Sequence, residues 1–181
     1  VTQNSYIPQP LSCLRSRQVA LMGQQARVLV IDDSLANAEA LAASLVADGL
    51  ETYYALSGVE ALQKLTFWRP HLFIVDINMP EHDGFAVARV LRSIGSTCDA
   101  GIIAFTALGR DEFIAGGEAR DFDGYCQKGG THTLLLALIN GMLVLGFGGI
   151  SVARFNLRHP TIKMVIAAAL CPNGLTLLLS A

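Results

Sequence analysis

The chain has 181 residues, enough for one ordinary domain with extensions, and such a domain buries a core without disulfides or a structural metal. Its formal net charge of −2 gives no basic field of the kind nucleic-acid binders carry, so nucleic acid is not an expected partner. Cys13, Cys98, Cys126 and Cys171 are widely spaced with no C-x-x-C pair, which argues against a local zinc cluster or dithiol motif and for reduced thiols in a cytoplasmic setting.

Charge is unevenly placed, because all 15 acidic residues fall between Asp32 and Asp123. Residues 1–26 are rich in Gln, Ser and Pro, lack an apolar run of signal-peptide length, and read as a flexible leader. Met22, just ahead of the first strong strand, is a candidate natural start.

From Arg27 onward, short β-branched apolar runs alternate with helical periodicity, the pattern of βα units around a parallel sheet. The predicted strands are Val28 to Ile31, Thr52 to Ala55, Leu72 to Val75, Ile102 to Phe105 and Gly124 to Gln127. Ala38, Leu41, Ala42 and Leu45 repeat at the spacing of a helix face, and so do Val87, Val90, Leu91 and Ile94, giving the first and third helices. The second helix opens at Ser57, with Glu60 expected to reach back to the Ser57 amide in a capping box. A fourth helix near Asp111 to Ala119 contains Gly116 and Gly117, which together cost about 2 kcal/mol relative to alanine, so it should be short or broken. The fifth helix is expected to start after a Thr131 cap and run to about Leu143, with Leu135, Leu138, Ile139 and Met142 toward the sheet. The fold class is therefore α/β, a doubly wound (βα)5 flavodoxin-like parallel sheet of expected order 2-1-3-4-5.

In such a sheet, residues at the carboxyl ends of the strands meet in the crevice where ligands bind. The first strand ends at Asp32 and Asp33, the third at Asp76, the fourth at Thr106 and the fifth near Lys128. Three close carboxylates repel one another unless a cation lies between them. Mg2+, which takes one or two carboxylates plus waters and phosphate oxygens, suits Asp33, Asp76 and a main-chain carbonyl. Lys128 supplies a point charge and Thr106 a hydroxyl for a phosphoryl group carried by Asp76 as nucleophile. Taken alone, Asp32 and Asp33 would be an ordinary solvated cap before a helix; their company at successive strand ends argues otherwise. His71, His82, His132 and His159 lack paired ligand spacing and read as structural or solvent-facing.

These residues carry a resemblance. With V-L-V-I-D-D at Val28 to Asp33, F-I-V-D-I-N-M-P at Phe73 to Pro80 followed by Gly84, A-F-T-A at Ala104 to Ala107, and D-G-Y-C-Q-K at Asp123 to Lys128, the chain resembles the receiver domain of two-component response regulators. The likeness covers residues 27–143. It implies that Asp76 is the phosphoacceptor, that Asp32, Asp33, Asp76 and the Asn78 carbonyl hold Mg2+, that Lys128 contacts the phosphoryl group, and that Thr106 and Tyr125 form a switch pair. It further implies phosphoryl transfer from a histidine kinase or histidine phosphotransfer protein, self-catalysed and slowly reversed by hydrolysis. One departure stands out: Gly129 and Gly130 follow the lysine where family members usually carry proline, so that loop should be looser.

Two other chemistries fit less well. Dehalogenase-like phosphatases need a second acid two residues after the nucleophile, where this chain has Asn78, and a flavin-binding loop would not begin with Asp32 and Asp33. A receiver fragment of a hybrid kinase and a phosphorylation-independent binding module remain the alternatives. No helix-turn-helix pattern follows Leu143, so the expected output is contact with an effector protein, with the fourth helix, fifth strand and fifth helix as the face for a homodimer. Residues 144–181 are apolar and uncharged over long stretches, but Pro172, Asn173, Gly174 and several glycines interrupt them, so the expectation is an extension that folds back or lacks order rather than a membrane hairpin.

Overall fold

The computed structural model describes residues 11–80, 83–116 and 119–144. The expectations for residues 1–10, for His82 and His159, and for the extension beyond Val144 lie outside the described residues.

Five parallel strands form the centre: β3 (Arg27–Ile31), β4 (Glu51–Ala55), β5 (Leu72–Val75), β6 (Gly101–Thr106) and β7 (Gly124–Gln127). Two short strands, β1 (Leu11–Cys13) and β2 (Val19–Ala20), precede them. The sheet order is β1-β7-β6-β5-β3-β4, so the five parallel strands follow the expected 2-1-3-4-5 order, and the strand sequence reverses beside β3.

Successive strand residues point to opposite faces, and both faces are covered. Val28, Val30, Ile74 and Ile103 face α1 (Leu35–Ala47) and α5 (His132–Met142), joining Leu45, Leu135, Ile139 and Met142 in one core. Leu29, Ile31, Phe73, Val75 and Ile102 face the other way. There they meet Ala61, Val87, Leu91 and Phe113, from α2 (Gly58–Lys64), α3 (Gly84–Ser93) and α4 (Arg110–Ala115). Each fully buried side chain of this size contributes about 1.5–3 kcal/mol, which is why the strands read as unbroken apolar runs.

Several local expectations need correction. The α3 face is Val87, Ala88 and Leu91, while Val90 is 42% exposed, because the helix presents its first turn to the sheet through Gly84. The Ser57 side chain does cap α2, accepting the Glu60 amide at 3.1 Å, but Glu60 accepts from the Leu56 amide at 2.7 Å instead of that of Ser57. Thr131 occupies the cap position of α5 without a side-chain cap bond. The fourth helix stops at Ala115 with Gly116 as its cap, as its glycines suggested.

The larger correction concerns the leader. Residues 11–26 are not a loose segment here: β1 pairs antiparallel with β7, with Leu11 opposite Cys126, Ser12 opposite Tyr125 and Cys13 opposite Gly124. Farther on, β2 pairs in parallel with β8 (Leu143–Val144), and Val19, Leu21 and Leu143 close the floor of the α1/α5 core. An uncovered β7 would leave a row of unpaired amides and carbonyls, and β1 fills it. Three residues are too few to show a strand period in the sequence.

Candidate functional site

The backbone hydrogen bonding of the sheet runs on past the strand ends and fixes the rim. The Asp32 amide bonds to Ala55 O at 3.1 Å, the Asp76 amide to Ile31 O at 2.8 Å and the Lys128 amide to Thr106 O at 2.8 Å. Asp32 and Asp76 are only 3% and 7% exposed, and Thr106 is buried, whereas Asp33 and Asn78 face solvent.

Lys128 joins the two buried acids. Its Nζ donates to Asp32 Oδ2 and to Asp76 Oδ2, both at 2.7 Å, and lies 5.9 Å from the centre of the Phe105 ring. The remaining oxygens accept main-chain amides: Asp32 Oδ1 from Ser34 at 3.0 Å, and Asp76 Oδ1 from Asn78 at 3.3 Å. Ser34 is also the cap of α1, so the start of that helix locks the Asp32 carboxylate. Burial by itself would lower the Lys128 pKa, but the hydrogen bonds and charges of Asp32 and Asp76 outweigh it and leave the ammonium group above its ordinary value. It is fully charged at neutral pH.

One carboxylate oxygen from each of Asp32, Asp33 and Asp76 lies within 4.8 Å of the other two. Three anions thus face one ammonium group at an open rim, an excess of negative charge suited to a divalent cation with oxygen ligands. The donor set fits such an ion.

The other expected residues fall on the same side of the sheet. Thr106 ends β6, and its Oγ1 accepts the Leu108 amide at 3.3 Å. Tyr125 points inward from β7, fully buried, its ring 5.3 Å from that of Phe113, and its hydroxyl donates to Leu108 O at 2.6 Å. Both side chains are therefore held by the loop that follows Thr106.

Two contributions were not assigned from the sequence. Gly84 lies so close beneath Asp76 that a Cβ there would come within 2.1 Å of the Asp76 carbonyl oxygen and 2.8 Å of the Ile77 Cα. Asp123, the first residue of the D-G-Y-C-Q-K motif, is fully buried. Its Oδ1 accepts from Arg17 at 2.9 Å, and its Oδ2 accepts from Arg92 and from the Ile102 amide. The glycine was visible as a motif position; the arginine partners of Asp123 lie too far away in sequence to have signalled it. A separate open cleft of about 540 Å³, lined by Glu39, Val46, Tyr54 and Glu60 among others, shares no residue with the rim.

Residues 28–140 match the family model described as the response regulator receiver domain. The chain belongs to this receiver family. Response regulator MprA of Mycobacterium ulcerans is 39% identical over 120 residues, which cover 65% of this chain and 50% of that protein. The chain thus spans about half the length of the curated relatives it matches. Among solved structures, chemotaxis protein CheY4 of Vibrio cholerae superposes with a TM-score of 0.62 at 28% identity, over 66% of this chain and 99% of that one. Response regulator TrrA of Thermotoga maritima, solved in complex with Mg2+ and BeF, gives 0.60 at 31% identity over 66% of this chain and all of that one. Receiver domains of this family are the phosphoacceptors of two-component signalling, and the fold here is theirs.

Proposed function

We propose that Asp76 accepts a phosphoryl group from a phosphohistidine on a histidine kinase or histidine phosphotransfer protein, in a Mg2+-dependent reaction carried by residues 27–143. The observation that supports this most directly is the crowding of Asp32, Asp33 and Asp76 at an open strand-end rim, with Lys128 bridging two of them. An Asp76 carboxylate oxygen attacks phosphorus as the bond from phosphorus to the partner's histidine nitrogen breaks, and that nitrogen leaves with its electron pair. Hydrolysis reverses the modification: water adds to phosphorus, phosphate departs and the carboxylate is restored.

Asp32, Asp33 and Asp76, with the Asn78 main-chain carbonyl, would hold Mg2+. When bound, the ion would offset the charge of the phosphoryl oxygens. Lys128, already bridging Asp32 and Asp76, transfers one of its ion pairs from carboxylate to phosphoryl oxygen. The Thr106 hydroxyl is free to donate to a second phosphoryl oxygen while still accepting the Leu108 amide, and Tyr125 follows the loop that both share.

Signalling then proceeds by contact with an effector protein in the cytoplasm. No helix among the described residues is long and apolar enough to cross a membrane. Because β1 covers the edge of β7, a homodimer through α4, β7 and α5 would use the helix faces without extending the sheet. Incubation with acetyl phosphate and Mg2+ should add one acid-stable, base-labile phosphoryl group by intact mass, and Asp76→Asn should abolish it. Undiminished labelling of Asp76→Asn would remove Asp76 from the mechanism.

A further inference from the structure

The edge of β7 is a strand-accepting surface, and its occupant is the chain's own residues 11–17. Leu11 packs on the α5 side of the sheet and Leu14 on the α3/α4 side, while Ser12 lies directly opposite Tyr125. The Leu14 and Arg15 amides both bond to Asp123 O, at 2.8 and 3.1 Å, and Arg17 reaches the buried Asp123 carboxylate. One more tie matters: Arg110 Nε, in the first residue of α4, donates to Ser12 Oγ at 3.2 Å.

That tie places the strap at the end of a short connected path. Thr106 Oγ1 holds the Leu108 amide, Leu108 O holds the Tyr125 hydroxyl, and two residues later Arg110 holds Ser12. Drawing the Thr106 hydroxyl toward a phosphoryl oxygen on Asp76 would pull on the Leu108 amide and, through it, on the 106–110 loop. That loop carries both the acceptor of the Tyr125 hydroxyl, Leu108 O, and the donor to Ser12, Arg110. Both bear on β1, one through its partner residue and one directly.

We propose that residues 11–17 form a releasable strap over the β7 edge, seated when Asp76 is unmodified and loosened when Asp76 carries a phosphoryl group, with the Arg110–Ser12 hydrogen bond as the coupling contact. This rests on the phosphoacceptor reading of Asp76. Loosening would bare the β7 backbone edge to a strand from a protein partner, so the strap converts a change at the rim into exposure of a binding edge.

Hydrogen exchange of the full chain tests this, with and without Mg2+ and fluoroberyllate, while 19F NMR on the same samples reports whether fluoroberyllate is bound. With the ligand bound, the Leu14 and Arg15 amides should exchange about tenfold faster, a size ordinary for coupling between sites, while β3 and β5 amides stay protected. In Ser12→Ala, which keeps the β1 backbone pairing but lacks the Arg110 acceptor, the ligand should bind equally and the acceleration should fall toward nothing. Bound ligand with unchanged exchange at Leu14 and Arg15, or full acceleration in Ser12→Ala, overturns the coupling and leaves the phosphoacceptor reading standing. Failure of fluoroberyllate to bind at all overturns both.

Discussion

Among the described residues, two clusters of buried acid and base are built on opposite plans. At the rim, Asp32 and Asp76 share one cation, Lys128, Asp33 lies beside them, and the cluster is open to solvent through Asp33. Beside the start of β7, one acid, Asp123, shares two cations, Arg92 and Arg17, and is fully closed. Arg92 is held further by the carbonyls of Asp121, Cys98 and Ala100. Burial pushes down the pKa of the cation in both places. At Lys128 two carboxylates overcome it and the pKa ends raised; at Arg92 burial prevails over the single shared carboxylate, with Arg17 and Arg15 adding repulsion, and the pKa ends lowered. A saturated cluster ties segments together, whereas an unbalanced cluster with an open side is suited to taking up charge from outside.

The sharpest way to break this comparison is to remove one acid from each cluster. Asp123→Ala leaves the Arg92 guanidinium without its carboxylate and the Ile102 amide without its acceptor, and should cost about 3–5 kcal/mol, the usual penalty for breaking a buried ion pair on one side. Urea unfolding measures it, and the folded fraction should still take up phosphate. Asp76→Asn should do the reverse, leaving the unfolding midpoint unchanged or higher because it relieves repulsion among three acids, while ending uptake. Equal destabilisation by both would erase the distinction.

Gly84→Ala tests whether the rim also depends on its backbone support. The new Cβ would meet main-chain atoms of Asp76 and Ile77, which cannot step aside as a flexible side chain would. A cost of about 1–3 kcal/mol is expected from overpacking. Displacing the Asp76 backbone should slow acetyl phosphate labelling on the order of a hundredfold in the folded protein. Normal labelling would show that Asp76 tolerates the shift.

Legibility in the sequence follows the same division. The rim was readable because each of its residues ends a strand, and strand ends in a parallel sheet converge whatever the loops do; Asp32, Asp76, Thr106 and Lys128 needed only the strands to be located. The Asp123 cluster was not, since Arg17, Arg92 and Asp123 meet through tertiary packing that no spacing encodes. Residues 11–26 of the leader depart from the expectation for a related reason. Its Gln, Ser and Pro content predicts disorder, but β1 is held by the open backbone edge of β7 and by a distant buried carboxylate, both invisible in a local window. Val90 shows a further limit: helical period locates a face, but the close approach at Gly84 sets its rotation.

Lys128→Ala gives the next smaller effect and separates lysine from metal. Without Mg2+, Asp32 and Asp76 lose their shared donor, at a cost of about 1–3 kcal/mol. Because Lys128 holds carboxylate oxygens that Mg2+ would also use, the variant should bind Mg2+ more tightly than the parent. Saturation at 100 times Kd should return about 2.7 kcal/mol. Calorimetric titration and thermal unfolding with and without Mg2+ report both quantities. Weaker Mg2+ binding in the variant would mean that the lysine supports the metal site instead of competing for it.

The smallest effect is the dependence of stability on alkaline pH. A group whose pKa is higher in the folded protein than in the unfolded chain binds its proton more tightly when folded, so it stabilises fully below its unfolded value and ceases to do so above its folded one. Lys128 is such a group: its contribution should be complete below pH 10.5 and decline as pH rises through the raised folded pKa. The lysine is partly solvated, so screening keeps the loss small. Cys126 complicates the measurement, because burial pushes its thiol from 9.0 up to about 12 and produces a loss of the same sign that begins nearer pH 9. Urea midpoints between pH 9 and 12 are therefore best compared in a Cys126→Ala background, with and without Lys128→Met. The decline above pH 10.5 should be shallower in the Lys128→Met protein. Parallel curves would mean that Asp32 and Asp76 gain no more from the lysine in the folded protein than they would from water, and the rim would then owe its geometry to its backbone amides alone.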